Sequence, residues 1–198
     1  MLIAQRPLVV RCYPHKIVPE IETARLRLRM FIPDDLDELL LVFGDPEVMK
    51  YLGIEAGTIL SREETKLVLQ KMIEFWVRNG FGRWAVINKE DNKLIGLCGF
   101  RLLEDALELV YALAKPYWGR GFATEAARAS LRFGFEELNY DRIVAITRHA
   151  NAGSRRVMRK LLMTYEQDVN HYGVDGVRYV ATRDQIQPDG STYILYRD

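Results

Sequence analysis

Apolar and polar residues alternate strictly over Arg25-Leu26-Arg27-Leu28-Arg29-Met30, the period-two pattern of a half-buried strand. The period then changes. Pro33-Asp34-Asp35 places a proline and acids in a first helical turn, and Leu36, Leu39, Leu40 and Phe43 follow at helical spacing. Gly44-Asp45-Pro46 breaks that helix and opens a short second one, to about Leu52. Ser61-Arg62-Glu63-Glu64 is a capping box, and Leu67, Val68, Met72, Phe75 and Trp76 recur every three or four residues, predicting an amphipathic helix to about Arg78. Three strands are expected next, over 83–88, 93–103 and 107–113. The turns between them, Asp91-Asn92 and Glu104-Asp105, are too short for anything but antiparallel neighbours. A helix over 123–138 puts Ala127, Leu131, Phe135 and Leu138 on one face, while Ala123, Ala126, Ala129 and Ser130 let it approach a sheet closely. A strand over 142–147, a helix over 151–162 and strands over 164–172 and 177–182 follow, the last two flanking Gly173-Val174-Asp175-Gly176; a further strand is open at 192–196.

This order predicts an α+β domain with one mixed sheet, antiparallel at first and with helical crossovers afterwards. At 198 residues the chain suits one domain, on a scale of about 100–200 residues each. Residues 1–20, carrying Pro7, Pro14 and Pro19, read as an N-terminal extension, 21–186 as the domain and 187–198 as a C-terminal tail. The 28 basic and 27 acidic residues leave a net charge of +1, which argues against a nucleic-acid surface or a polybasic membrane anchor. No apolar run is long enough to span a bilayer, and the first residues make a poor signal peptide. Cys12 and Cys98 form no disulfide framework or metal spacing, so a reducing cytoplasm and no metal are expected.

The chemistry concentrates in Tyr117-Trp118-Gly119-Arg120-Gly121-Phe122-Ala123-Thr124, between a predicted strand and a predicted helix. Two glycines one residue apart, then small side chains, let backbone N–H groups press against phosphates at a helix N-terminus. The spacing does not fit a P-loop, because no Lys-Ser/Thr follows. Nor does it fit a dinucleotide fingerprint, because Thr124 stands where the third glycine belongs. The run resembles the acyl-CoA pyrophosphate loop of the GNAT acetyltransferases, Gln/Arg-x-x-Gly-x-Gly/Ala, with Trp118 at the Gln/Arg position. Y-W-G-R-G-F-A-T-E-A is similar to the branch related to ribosomal-protein N-terminal alanine and serine acetyltransferases, where an aromatic is usual there. I-E-T-A-R-L-R-L-R-M-F, G-D-P-E-V-M-K-Y-L, G-F-G-R-W-A-V, L-I-G-L-C-G-F, N-A-G-S-R-R-V-M-R-K-L and H-Y-G-V-D-G resemble further family segments in the same order, from about Glu22 to Ile186.

The resemblance implies the GNAT fold, with a central twisted sheet whose middle strands splay apart, and acetyl-CoA as co-substrate. It also implies transfer of an acetyl group to a primary amine by direct attack in a ternary complex. The amine, whether a peptide N-terminus or a small molecule, stays open. A homodimer is a family-based expectation, and a catalytically weak acyl-CoA-binding sensor is the competing reading. Residue by residue, Leu113 is the expected backbone contact to pantetheine and to the thioester oxyanion. Glu108 is the base candidate, although alternation places it on the face opposite Leu113. Ser154 would serve the leaving thiolate. Asn151 would cap its helix and reach pantetheine. Tyr111, Trp118, Gly119, Arg120, Gly121, Phe122, Ala123 and Thr124 complete the cofactor set, and Trp84, His171 and Tyr172 are candidate acceptor walls. Many relatives have a tyrosine acid where this chain has Met158, and Leu162-Met163 replaces a usual Gly-Phe, which predicts a different exit turn.

Overall fold

The computed structural model describes residues 19–52, 57–171, 174–185 and 190–196. Cys12, Tyr172, Gly173, the His171 side chain and residues 1–18 of the extension lie outside the described residues. In chain order the elements are β1 (Glu20–Glu22), β2 (Leu26–Arg29), a 3-10 turn (Pro33–Asp35), α1 (Leu36–Phe43), α2 (Pro46–Met49), α3 (Arg62–Asn79), β3 (Arg83–Asn88), β4 (Lys93–Leu102) and β5 (Leu107–Leu113). After a second 3-10 turn (Lys115–Tyr117) come α4 (Phe122–Glu136), β6 (Arg142–Arg148), α5 (Ala152–Lys160), β7 (Thr164–His171), β8 (Val174–Thr182) and β9 (Ile194–Tyr196). The strands form one mixed sheet in the order β7-β8-β6-β5-β4-β3-β2-β1-β9. The β5–β6 pair is parallel; the pairs on either side of it are antiparallel.

Local chemistry sets several of these boundaries. The Ser61 hydroxyl accepts from the Glu64 N–H at 3.2 Å and the Glu64 carboxylate accepts from the Ser61 N–H at 2.8 Å, so α3 starts on its capping box. Gly80, at φ 72°, takes the left-handed conformation that ends it.

The strand left open at 192–196 is present as β9, which pairs with β1 at the sheet edge. Two expectations are corrected. Asp175 and Gly176 do not form the hairpin turn: they pair with Asn170 and Val169, so β8 begins at Val174. Ladder hydrogen bonds there outweigh the turn preference of an Asp-Gly step. Nor does α5 leave by a different turn. Leu162 adopts φ 59°, and the Met163 N–H reaches the Met158 carbonyl at 3.0 Å, the bond a glycine at that position would close.

Helices cover both faces of the sheet. On one face, α4 and α5 pack Phe122, Leu131, Phe135, Met158 and Leu161 against Val86, Phe100, Leu109 and Ile143. Met158 is thus core packing. On the other, α1, α2 and α3 pack Leu39, Val42, Val48 and Met72 against Ala85, Ile87, Leu97 and Ala112. Successive residues of β3, β4 and β5 point to opposite faces, and this decides which side chains the two halves of the site receive.

Candidate active site

The site begins as a break in the sheet. The Leu103 N–H bonds the Ala106 carbonyl at 2.9 Å, and the Ala114 N–H bonds the Ile95 carbonyl at 2.8 Å. Between them the β4–β5 ladder runs without a bulge. Its alternation therefore turns the N–H and C=O groups of Leu107, Leu109, Tyr111 and Leu113 away from β4, toward β6. The parallel pair holds at Leu107 with Ile143 and at Glu108 with Val144, and then the strands diverge. β6 stays paired with β8 as far as Arg148. The backbone of Leu109, Tyr111 and Leu113 is left facing a gap, and around it opens a cleft of about 1000 Å³ lined from both faces of the sheet.

The wall beyond the end of β5 has the backbone geometry that suits an anion. Gly119 and Gly121 have φ 73° and 86°, conformations costly for any residue with a Cβ. Gly121 is the N-cap of α4 and has no side chain to cap it, so first-turn N–H groups point into the cleft with the positive end of the helix dipole. Glu125 in that first turn does not oppose an anion freely. Its carboxylate accepts from Arg25 Nε at 2.7 Å and from the Thr23 hydroxyl at 2.7 Å. Arg25 also donates to the Arg120 carbonyl at 3.0 Å and fixes the loop. Trp118 accounts for its own departure from Gln/Arg: its indole N–H donates to the Leu113 carbonyl at 2.6 Å and pins the loop to the strand.

Opposite β5 stands the start of α5. Asn151 is its N-cap, accepting from the Ser154 N–H at 3.0 Å. The Ser154 hydroxyl lies 2.8 Å from the Tyr111 hydroxyl, and either oxygen can donate. Burial, more than any neighbour, pushes the Tyr111 phenol above its ordinary range; the Ser154 bond opposes that shift and Cys98 adds to it. Tyr111 is therefore protonated at neutral pH. Two hydroxyl protons meet in the gap between the diverging strands.

The other face supplies charge. Glu108 is buried and ion-paired with Arg101, its cross-strand neighbour. Arg83 on β3 lines the same side of the cleft. Burial, then the Arg101 guanidinium, hold Arg83 below the ordinary arginine range, and Glu108 offsets part of that. The apolar remainder includes Phe43, Val48, Met49, Leu60 and Val68 from α1–α3 and their connections.

The cleft brings together Glu108, Tyr111, Leu113, Trp118, Gly119, Gly121, Phe122, Ala123, Thr124, Asn151 and Ser154. Two expected residues do not join them. Arg120 turns outward, stacks over the Tyr117 and Phe122 rings at 5.8 and 4.9 Å, and sits 3.8 Å from Glu90. Trp84 is not an acceptor wall. It points to the α4 face, is fully buried against Trp76 and Phe133 at ring distances of 5.1 and 5.0 Å, and donates to the Pro19 carbonyl. Tyr172 and the His171 side chain lie outside the described residues. The two catalytic expectations on β5 also conflict. Leu113 and Glu108 are five residues apart, about 16 Å along an extended strand, so one carbonyl carbon cannot meet both.

Sequence reasoning missed the hydroxyl role of Tyr111 and the two arginines, Arg83 and Arg101, on the same face as Glu108. Period-two alternation over 107–113 could have paired Tyr111 with the α5 side. Nothing local could have joined Arg83 to Arg101. Cys98 is core: its thiol meets the Ser130 hydroxyl at 3.3 Å, and burial pushes its pKa up to about 12. Among the described residues no group of three or more His, Cys, Asp or Glu could hold a metal, and no helix is long and apolar enough to cross a membrane.

Known proteins share this fold. The family model described as an acetyltransferase (GNAT) domain matches residues 25–164. An uncharacterized N-acetyltransferase of Bacillus licheniformis, p20, is 32% identical over 76% of this chain and 85% of its own length. A GNAT-family acetyltransferase of Bacillus anthracis superposes with a TM-score of 0.72 at 28% identity, covering 83% of this chain and 99% of that one. The ribosomal-protein-S5-alanine acetyltransferase of Vibrio fischeri shares the fold, with a TM-score of 0.68 at 20% identity over 85% of this chain and 99% of that one. With the splayed strands, the amide-lined loop and the family match in agreement, this chain belongs to the GNAT family and is an N-acetyltransferase.

Proposed function

We propose that this enzyme transfers the acetyl group of acetyl-CoA to a primary amine by direct attack, with both substrates bound together. The observation that carries the reading is the 2.8 Å Tyr111–Ser154 hydroxyl pair beside inward-facing backbone amides. The loop from Trp118 to Thr124 and the free N–H groups of α4 hold the pyrophosphate. Leu113, next to that loop, pairs with pantetheine through its N–H. The thioester then lies further back along β5, where the Leu109 and Tyr111 N–H groups face the oxygen on which charge develops. The Tyr111–Ser154 pair donates to the departing thiolate. Glu108 is the proton acceptor on the opposite face and acts through water, because its own carboxylate is held by Arg101.

No nucleophile on the enzyme is required, and Cys98 is too deeply buried to be one. A cytoplasmic setting, a homodimer and kinship with the ribosomal-protein branch belong to this reading and rest on the resemblance. Thiol release from acetyl-CoA, measured across peptide N-termini, amino acids, polyamines and aminoglycosides, tests it. At least one class turns over, and Tyr111→Phe slows that reaction about 10²-fold or more without weakening CoA binding. Tight acetyl-CoA binding with no thiol release for any amine would instead favour a CoA-binding sensor.

A further inference from the structure

The acceptor half of the cleft carries unbalanced charge. Arg83, Arg101 and Glu108 stand on one face of the sheet, at β3, β4 and β5. Glu108 is the single carboxylate among the described residues that line the cleft. It is engaged by Arg101. Arg83 is half-buried, and its guanidinium makes no hydrogen bond or ion pair among the described residues. A cation drawn partly out of water without a partner carries a desolvation cost, and a ligand of opposite charge offsets it. Among the described residues the excess on this face is one positive charge. That matches a carboxylate, whereas a phosphate monoester brings about −1.5 to −2 at neutral pH.

We propose, resting on the acetyl-transfer reading above, that the acceptor carries a carboxylate beside its amine and that Arg83 holds it. The guanidinium fork suits a carboxylate's two oxygens. Phe43, Val48, Met49, Leu60 and Val68 line the same half of the cleft, so the acceptor's body is apolar. A polyamine or an aminoglycoside, polycationic and polar, fits neither the charge nor the lining. A free amino acid with an apolar side chain fits both.

Matched pairs of acceptors test this. L-Leucine and L-leucinamide differ only in the carboxylate. The amide's amine loses its proton more readily, so intrinsic reactivity favours the amide, and any preference for the acid is a binding effect. The acid is expected to exceed the amide at least tenfold in kcat/KM, mainly through KM. Arg83→Gln erases that preference, and Arg83→Lys keeps part of it. Equal use of acid and amide by the wild type, or a preference that survives Arg83→Gln, overturns the proposal. A second arm needs neither turnover nor a variant. With saturating CoA, 4-methylpentanoate raises the melting temperature and 4-methylpentanamide does not; an equal response to both overturns the carboxylate site. If the carboxylate protects while no amine is ever acetylated, the transfer reading falls and the anion site stands.

Discussion

The two halves of the cleft are built from different material. The cofactor half is backbone: inward N–H groups of β5, two glycines in left-handed conformations, and the uncapped first turn of α4. The acceptor half is side chains: Arg83, Arg101 and Glu108 from three strands, against apolar residues from α1–α3. A backbone surface recognises what every member of a family binds, and it tolerates sequence change as long as the glycines remain. A side-chain surface is rewritten by single substitutions. On the proposed function, the constant substrate is held by the sheet and the loop, and the variable one by residues that no short motif contains.

Glu108→Gln presses hardest on this division. As proton acceptor it is worth about 10²–10⁴ in rate. Raising the pH recovers part of the loss, since more of the amine is then already neutral. The substitution also removes the Arg101–Glu108 ion pair, so stability falls too. Pairing it with Arg101→Gln separates the effects: stability returns and the rate does not. Full activity of the single variant at neutral pH removes Glu108 from the chemistry.

Gly121→Asp attacks the backbone half. A saturating ligand at about 100 times its dissociation constant stabilises the native state by about 2.7 kcal/mol, and the variant should lose that protection from acetyl-CoA. Its side chain would adopt φ near 86° and set a carboxylate among N–H groups meant for phosphate. An unchanged thermal shift would sink the loop assignment.

The two ends of α5 give smaller effects of opposite sign. Asn151→Ala removes the cap at its start and costs about 1 kcal/mol, with weaker acetyl-CoA binding if the side chain also reaches pantetheine. Leu162→Gly relieves the left-handed residue at its end and adds up to about 1 kcal/mol, since Leu162 is 65% exposed and little packing is lost. Chemical denaturation of the two variants measures both. The smallest effect is at Cys98. Its thiol pKa is about 12 in the folded protein and about 8.5 in an unfolded chain. The folded state therefore keeps its full stability below about pH 8.5 and loses it as pH rises toward about 12, by at most about 1.4 kcal/mol per unit. Between pH 8.5 and 10, Cys98→Ala should show a shallower fall in melting temperature than the wild type.

Short-range chemistry determined what could be read in advance. The capping box at Ser61, the proline that opens the 3-10 turn before α1, the strand alternation of Leu26–Arg29 and the glycine pair before α4 each act within a few residues, so sequence spacing carries them. The order of elements followed, and with it the place of the glycine loop before α4. Tertiary structure decided the rest. Trp84 reads equally well as a wall or as core until β3 takes its place in the sheet and one face is closed by α4. Tyr111 meets Ser154 across 43 residues of chain, and Thr23 and Arg25 meet Glu125 across about a hundred. Among the described residues Arg83 has no hydrogen-bond or ion-pair partner, because Arg101, on the next strand and two residues beyond Gly99, has taken Glu108. Such meetings depend on register and on which face each side chain occupies. Neither is set locally, because a shift of one residue in pairing would exchange the two faces.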